Sequence, residues 1–213
     1  MRADKKDMLL YAVTDRAWLG KRQLWEQVED AIRGGATFIQ LREKELDNQR
    51  FLEEAIQIKK ITDQYHIPFV INDDVDIAIA CGADGVHVGQ KDMEARSVRE
   101  KLGNDKIIGV SVQTVEQAIA AEKNGADYLG VGAMFPTSTK EDAADVSFDT
   151  LKAICNAVSI PVVAIGGINA KNVMQLKGSG VDGIAVVSAI FAANNIMLAT
   201  QELADITKRM IEK

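Results

Sequence analysis

Acidic and basic side chains that could bind a metal ion and a phosphate stand directly after short apolar runs of this 213-residue chain. Asp73 and Asp92 are two carboxylates that could share one Mg²⁺, which usually keeps water and phosphate oxygens among its ligands. Arg42, Lys44 and Lys140 are cations that could neutralise a diphosphate beside such an ion. The alternatives are that the aspartates cap helices and that the basic side chains are solvated surface charges.

A second set of residues is suited to a phosphate bound without a metal ion. Gly166-Gly167 ends one apolar run, and Val187-Ser188 ends the next. Glycine lets backbone N–H groups approach an anion closely, and the loops after the last two strands of α/β barrels frequently bind phosphate. A plain strand-to-helix turn is the alternative for the glycine pair. The loop hydroxyls of Thr137, Ser138 and Thr139 flank Lys140 and could hydrogen-bond a second phosphate, and the alternative is that they are solvated.

The remaining polar candidates are neutral. The amides of Gln40 and Asn72 could recognise the edge of a heterocycle. We expect His66 to end a helix at the surface and His87 to be a satisfied interior residue of a strand. No Cys–His or Ser–His arrangement in the sequence calls for nucleophilic catalysis.

Composition limits the classes of partner. The 25 Lys and Arg against 31 Asp and Glu give a formal net charge of −6, which disfavours a general binder of nucleic acid or membrane surfaces. No apolar run reaches the roughly 20 residues that a membrane span needs. Two distant cysteines, Cys81 and Cys155, indicate buried free thiols in a reducing compartment. We therefore expect a cytoplasmic protein, for which a homo-oligomer is compatible with the sequence.

A repeated strand–helix unit must hold these candidates in place. Glycine begins a similar motif at Gly34, Gly82, Gly125 and Gly180, each time between a helical stretch and a β-rich run. Apolar runs predict strands near residues 9–14, 37–42, 68–72, 85–89, 107–112, 128–133, 161–165 and 183–188. Helical periodicity is clearest over residues 23–33, 51–61, 115–122 and 148–158.

This alternation predicts an α/β fold with one (β/α)₈ TIM barrel over residues 1–213, in which residues 1–7 are a flexible or extra N-terminal segment. A doubly wound open sheet is the alternative. Against it, Val13-Thr14-Asp15-Arg16 stands where the glycine-rich turn of that fold would follow the first strand. Because the active site of a barrel lies at the carboxyl ends of its strands, the barrel would bring the candidates to one mouth.

Seven motifs occur in order, each at the end of a predicted strand. They are Gln40-Leu41-Arg42-Glu43-Lys44, Ile71-Asn72-Asp73, Gly85-Val86-His87-Val88-Gly89-Gln90-Lys91-Asp92, Gly109-Val110-Ser111, Pro136-Thr137-Ser138-Thr139-Lys140, Ile165-Gly166-Gly167-Ile168 and Val187-Ser188-Ala189-Ile190. In these motifs, from about Leu9 to Ile190, the chain resembles the thiamine phosphate synthase family. The resemblance implies a transferase that joins 4-amino-5-hydroxymethyl-2-methylpyrimidine diphosphate to a thiazole monophosphate, with release of diphosphate.

The resemblance also implies a division of the site. The pyrimidine diphosphate would occupy Gln40, Leu41, Arg42, Glu43, Lys44, Asn72, Ser111 and Lys140, of which Arg42, Ser111 and Lys140 would be catalytic. The thiazole phosphate would occupy Thr137, Ser138, Thr139, Gly167, Val187 and Ser188. Asp73 and Asp92 would bind Mg²⁺. The electron-rich pyrimidine can stabilise a carbocation, so the expected reaction is a dissociative displacement that needs no protein nucleophile.

Two other functions are compatible with such a barrel. A thiazole tautomerase shares the barrel and the thiazole-phosphate corner but typically lacks part of the diphosphate and metal set, and other phosphate-binding barrel isomerases would need a base at the mouth. A non-catalytic binder of thiamine precursors would show no turnover that depends on Mg²⁺. The presence of the whole diphosphate and metal set favours the synthase.

Overall fold

A closed barrel of eight parallel strands forms the centre of the protein. A computed structural model describes residues 3–90, 92, 94–137 and 145–212. Each strand is hydrogen-bonded to the next, and β8 to β1. The strands are β1 Leu10–Val13, β2 Phe38–Leu41, β3 Phe69–Asn72, β4 Gly85–Val88, β5 Ile107–Val112, β6 Tyr128–Val131, β7 Val162–Ile165 and β8 Gly183–Val186. The predicted (β/α)₈ barrel is confirmed.

Helices surround the barrel. The α-helices among the described residues are α1 Leu24–Arg33, α2 Asn48–Tyr65, α3 Val75–Cys81, α4 Ala95–Leu102, α5 Val115–Lys123, α6 Phe148–Ala157, α7 Ser188–Phe191 and α8 Ile196–Ile211. Within this described part of the chain, no helix is long and apolar enough to cross a membrane. Short 3₁₀ turns lie at Lys5–Met8, Arg16–Trp18 and Val173–Leu176.

Side chains alternate between two cores because successive residues of a strand point to opposite faces. In β1, Tyr11 and Val13 pack inside the barrel, whereas Leu10 and Ala12 pack against the helices. This double burial explains why the strands are continuous apolar runs.

The barrel interior holds large rings because glycines face them. A Cβ atom on Gly109 would lie 2.1 Å from Cζ of Tyr128 and 2.5 Å from Nδ1 of His87. Both rings are buried, and Tyr11 and Phe38 pack edge to face at a centroid distance of 4.6 Å. The interior therefore needs glycine on β5 to accommodate aromatic side chains from β4 and β6.

Two features, the β7–β8 connection and the burial of the cysteines, differ from the sequence-based expectation. The β7–β8 connection carries the 3₁₀ turn Val173–Leu176 instead of an α-helix. Residues 5–8 form a 3₁₀ turn and Met8 is buried in the barrel interior, which is compatible with an extra N-terminal segment over residues 1–7. Cys81 and Cys155 are free thiols, but they are only partly buried. Burial nevertheless raises the pKa of Cys155 to about 12, which keeps that thiol protonated at neutral pH.

Candidate active site

The loops after β2 and β3 meet at the carboxyl end of the barrel. Nζ of Lys44 lies 2.7 Å from Oδ2 of Asp73, and Nδ2 of Asn72 donates to the same oxygen at 2.6 Å. Lys44 and Asn72, which were predicted to bind the pyrimidine diphosphate, thus both contact Asp73, which was predicted to bind the metal ion. Arg42 forms a longer ion pair at 3.3 Å with Asp15, from the loop after β1.

Asp73 has an unusual backbone for a residue with a side chain. Its φ is +64°, in the left-handed region, and its N–H donates to the carbonyl of His87 at 2.9 Å. The next residue, Asp74, caps α3 by accepting the N–H of Ile77 at 2.8 Å. Capping is therefore the task of Asp74, and the carboxylate of Asp73 faces Lys44 instead.

Asp92 follows the neighbouring strand β4. Its Oδ2 accepts the backbone N–H of Gly89 at 2.7 Å, which folds the β4–α4 loop back on itself. Among the described residues, Oδ1 of Asp73 and Oδ1 of Asp92 accept no hydrogen bond, so each carboxylate keeps one oxygen for a ligand. No group of three or more acidic, His or Cys side chains suited to a metal ion occurs in this part of the chain.

A chain of hydrogen bonds crosses the barrel interior beneath the mouth. Nε2 of Gln40 donates to the hydroxyl of Tyr11 at 2.5 Å, and that hydroxyl lies 2.7 Å from the hydroxyl of Tyr128. His87 continues the chain through Nδ1 to Tyr128 at 2.9 Å and through Nε2 to Ser111 at 2.8 Å. Burial raises the pKa of both tyrosines, so their hydroxyls remain protonated.

This series of hydrogen bonds links Gln40 to Ser111, two residues that were predicted from the sequence as site residues. The link runs through Tyr11, Tyr128 and His87, and the two tyrosines were not among the predicted site residues. His87 is an interior residue with both ring nitrogens hydrogen-bonded, as expected. The available signal for Tyr11 and Tyr128 was that each is a polar aromatic residue inside an apolar strand. Only the closure of the barrel shows that their hydroxyls meet.

Two residues of the motif after β2 do not present their side chains to the mouth. Leu41 is fully buried among the apolar residues between barrel and helices, because Gln40 before it points inward. Glu43 is also buried, and it forms an ion pair with Arg16 at 2.8 Å. The orientation of these two side chains therefore does not support the prediction that they contact the pyrimidine diphosphate.

The loops after β6 and β7 pack against each other at the other corner. Gly167 has a φ of +65°, and a Cβ atom there would lie 2.5 Å from the carbonyl oxygen of Pro136. The N–H of Phe135 donates to the carbonyl of Gly166 at 3.1 Å. Thr137 follows this contact, whereas the predicted site residues Ser138, Thr139 and Lys140 lie outside the described residues.

Val187 and Ser188 lie where β8 passes into α7. Val187 is half-buried against the interior cluster, and Ser188 is exposed as the first residue of the short helix. Because β7 and β8 are neighbours, both residues end on the same side of the barrel as Gly167. The described members of the two predicted sets thus lie at the carboxyl ends of strands around one mouth.

Comparison with known proteins identifies the family. A sequence model described as thiamine monophosphate synthase matches residues 10–190. A thiamine-phosphate synthase of Ruminiclostridium cellulolyticum is 55% identical over 202 residues, which cover 95% of this chain and 96% of the relative. The chain belongs to the thiamine monophosphate synthase family.

Further relatives of the thiamine monophosphate synthase family agree in sequence and in structure. A thiamine-phosphate synthase of Clostridium tetani is 54% identical over 197 residues, covering 92% of this chain and 94% of the relative. The solved thiamine phosphate pyrophosphorylase of Pyrococcus furiosus has a TM-score of 0.90 at 40% identity, over 98% of this chain and 99% of that one. The expected transferase of thiamine biosynthesis is thereby confirmed, while the roles of individual residues remain predictions.

Proposed function

We propose that the protein joins 4-amino-5-hydroxymethyl-2-methylpyrimidine diphosphate to 4-methyl-5-(2-phosphoethyl)thiazole, carboxylated or not, and releases thiamine phosphate and diphosphate, together with carbon dioxide when the thiazole is carboxylated. The observation that carries this proposal is the contact of Lys44 and Asn72 with one oxygen of Asp73. It places a cation, an amide and a carboxylate at the same strand ends, and a second carboxylate, Asp92, follows the neighbouring strand. Such a mixed cluster suits a magnesium diphosphate better than a bare phosphate.

The two aspartates fit Mg²⁺. Each is a hard oxygen donor with an Oδ1 that accepts no hydrogen bond from the described residues. Two carboxylates suffice because Mg²⁺ usually retains waters and substrate phosphate oxygens as its other ligands. When bound, the ion would supply positive charge that favours departure of the diphosphate.

The chain's own cations would stabilise the leaving group. Arg42 and Lys44 lie on the loop after β2, and the resemblance adds Lys140. As the bond between the pyrimidinyl methylene carbon and oxygen breaks, its electron pair goes to the diphosphate, whose growing charge these cations oppose. The thiazole nitrogen then donates its lone pair to the methylene carbon and forms the new C–N bond.

Positioning and exclusion of water are the other tasks of the site. The Gln40 amide and the Ser111 hydroxyl would hold the pyrimidine, and the buried hydrogen bonds beneath them keep both side chains in one orientation. The loops that contain Thr137, Gly167, Val187 and Ser188 would hold the thiazole phosphate. No proton has to leave a protein group, so His87 is not required as a base.

The expected partners of the enzyme follow from its charge, and the expected compartment follows from its two free cysteines. We propose that the enzyme works in the cytoplasm on small molecules and binds neither nucleic acid nor membranes. A net charge of −6 supports the expectation that neither nucleic acid nor membranes are bound, because binding either of those polyanionic surfaces needs a basic footprint.

One assay tests the reaction and the metal together. The two substrates are mixed with the protein in excess Mg²⁺, and thiamine phosphate is quantified by chromatography. We expect turnover that stops with EDTA and returns with added Mg²⁺. Product formation at the same rate in EDTA would refute the metal assignment, and no product under any metal condition would refute the synthase activity of this chain.

A further inference from the structure

Glu43 stands between two proposed diphosphate ligands, Arg42 and Lys44, yet its side chain is only 1% exposed. Its Oε1 accepts the backbone N–H groups of Lys44 at 2.7 Å, Glu45 at 2.6 Å and Leu46 at 3.2 Å. The carboxylate therefore closes the first turn of the loop that it belongs to. A short side chain-to-backbone network of this kind sets the conformation of a loop that has no regular secondary structure.

The other oxygen of Glu43 connects this loop to two further elements. Oε2 accepts Nε of Arg16 at 2.8 Å, and Arg16 lies on the 3₁₀ turn after β1. Nη2 of Arg16 reaches Oε2 of Glu54 on α2 at 2.5 Å. One guanidinium thus ties the loops after β1 and β2 to helix α2 by means of two carboxylates.

The ion pair of Glu43 and Arg16 is built to be rigid. Burial would raise the pKa of Glu43, but the N–H of Glu45 and the guanidinium of Arg16 outweigh it and hold the pKa below its ordinary value. A buried carboxylate with four donors has its lone pairs engaged, so it is not available to a ligand. Removing Arg16 would leave the buried carboxylate of Glu43 with its three backbone donors alone, and removing Glu43 would leave the guanidinium of Arg16 with Glu54 alone.

We propose that Glu43 and Arg16 are positioning residues that hold the loop after β2 in the shape in which Arg42 and Lys44 face the diphosphate. Neither touches the substrate. This assigns to Glu43 a different task from the substrate contact that its place in the motif implied. The inference rests on the proposed function only in naming the diphosphate as the ligand of the loop.

A double-mutant cycle separates positioning from contact. The variants Glu43→Gln, Arg16→Ala and their combination are compared with wild type in KM for each substrate and in Kd for inorganic diphosphate with Mg²⁺ by calorimetry. We expect each single variant to raise KM for the pyrimidine diphosphate and Kd for diphosphate by about tenfold or more. The KM for the thiazole phosphate should change less than about twofold. The KM and Kd of the double variant should not exceed those of the weaker-binding single variant, because both substitutions disrupt the same ion pair.

Controls keep the test independent of folding and of turnover. Arg16→Lys retains the charge but loses the two-pronged contact, so it should fall between wild type and Arg16→Ala and provides a variant if the latter does not fold. Arg22→Ala, which breaks an exposed ion pair with Asp30, should leave both constants unchanged. Multiplicative effects of the two substitutions, or an effect of Glu43→Gln without one of Arg16→Ala, would overturn the proposal. The calorimetry needs no turnover, so it stands even if the synthase assay fails.

Discussion

Asp73 combines a left-handed backbone with a carboxylate that we propose as a metal ligand. Its φ of +64° is a conformation that costs a residue with a Cβ roughly 1 kcal/mol relative to glycine. The left-handed turn brings the carboxylate to Lys44, while the following residue caps α3. The backbone strain therefore occurs at a proposed site residue. A substitution by glycine can separate the effect of the strain on stability from the effect of the carboxylate on activity.

Asp73→Gly should remove activity without loss of stability. Glycine adopts the left-handed backbone freely, so the free energy of unfolding should stay equal or rise by up to about 1 kcal/mol. The value of kcat/KM should fall by roughly 10²-fold or more, because a carboxylate at the proposed metal site is lost. Urea unfolding and steady-state kinetics measure the two effects.

The neighbouring aspartate serves as the control for that prediction. Asp74→Ala removes the cap of α3 and should lower the free energy of unfolding by about 1 kcal/mol, with little effect on kcat/KM. If Asp73→Gly retained wild-type kcat/KM, Asp73 would be a structural residue of the loop.

The role of Lys140 is predicted from the motif alone, because this residue lies outside the described residues. Lys140→Ala should lower kcat by about 10²-fold with a smaller change in substrate Kd, because a cation that opposes growing charge acts mainly in the transition state. A pyrimidine substrate with trifluoromethyl in place of its methyl group should also react more slowly, because it destabilises a carbocation. Equal rates for both substrates, with chemistry rate-limiting, would favour direct displacement.

The packing of the loops after β6 and β7 shapes the corner where we propose that the thiazole phosphate binds. The loop after β7 lies so close to the loop after β6 that no Cβ atom fits on Gly167. Glycine is thus required there for contact between the two loops as well as for any approach of an anion. The position of Thr137 depends on that contact, because it directly follows Pro136.

Gly167→Ala should raise KM for the thiazole phosphate several-fold more than KM for the pyrimidine diphosphate, because the loop with Thr137 must move. Gly178→Ala is the matched control: its φ is +83°, and a Cβ atom there meets nothing within 4 Å. The control should cost about 1–2 kcal/mol of stability from backbone strain and leave both KM values unchanged. Equal rises of both KM values in Gly167→Ala would mean that this glycine serves the fold alone.

Two buried tyrosines in the barrel interior make the free energy of unfolding depend on pH in the alkaline range. Burial raises the pKa of Tyr11 and Tyr128 in the folded chain, whereas an unfolded tyrosine titrates near a pH of about 10. Below that pH both states hold the phenolic protons. As the pH rises beyond it, the unfolded chain releases protons that the folded chain keeps, so the free energy of unfolding falls.

Tyr128→Phe should make this fall less steep, by up to about 1.4 kcal/mol per pH unit for the one phenol removed. At neutral pH the variant should be less stable by about 1–3 kcal/mol, because Tyr11 and His87 each lose a buried partner. Urea unfolding between pH 8 and 11 measures both. Phe38→Leu is the control, since it disturbs the same ring cluster but removes no titrating group and should keep the wild-type slope.

The order of the motifs along the chain was enough to predict the barrel and the family. Apolar runs and helical periodicity are local properties, so residues 9–14 or 23–33 could be assigned without knowledge of the rest. Helix ends were less predictable: α2 runs from Asn48 to Tyr65, well beyond the predicted 51–61, because Asp47 caps it and His66 turns left-handed at its end.

Residue types and their spacing along the chain were enough to predict the strand–helix alternation and the family, and to nominate residues for the mouth. The pairing of those residues depends on the tertiary structure. The tyrosines of β1 and β6 meet because the barrel closes, and Glu43 faces Arg16 because the loops after β1 and β2 lie side by side. Contacts between strands that are distant in sequence leave no local pattern, since side-chain direction and distance arise only when the strands share one sheet.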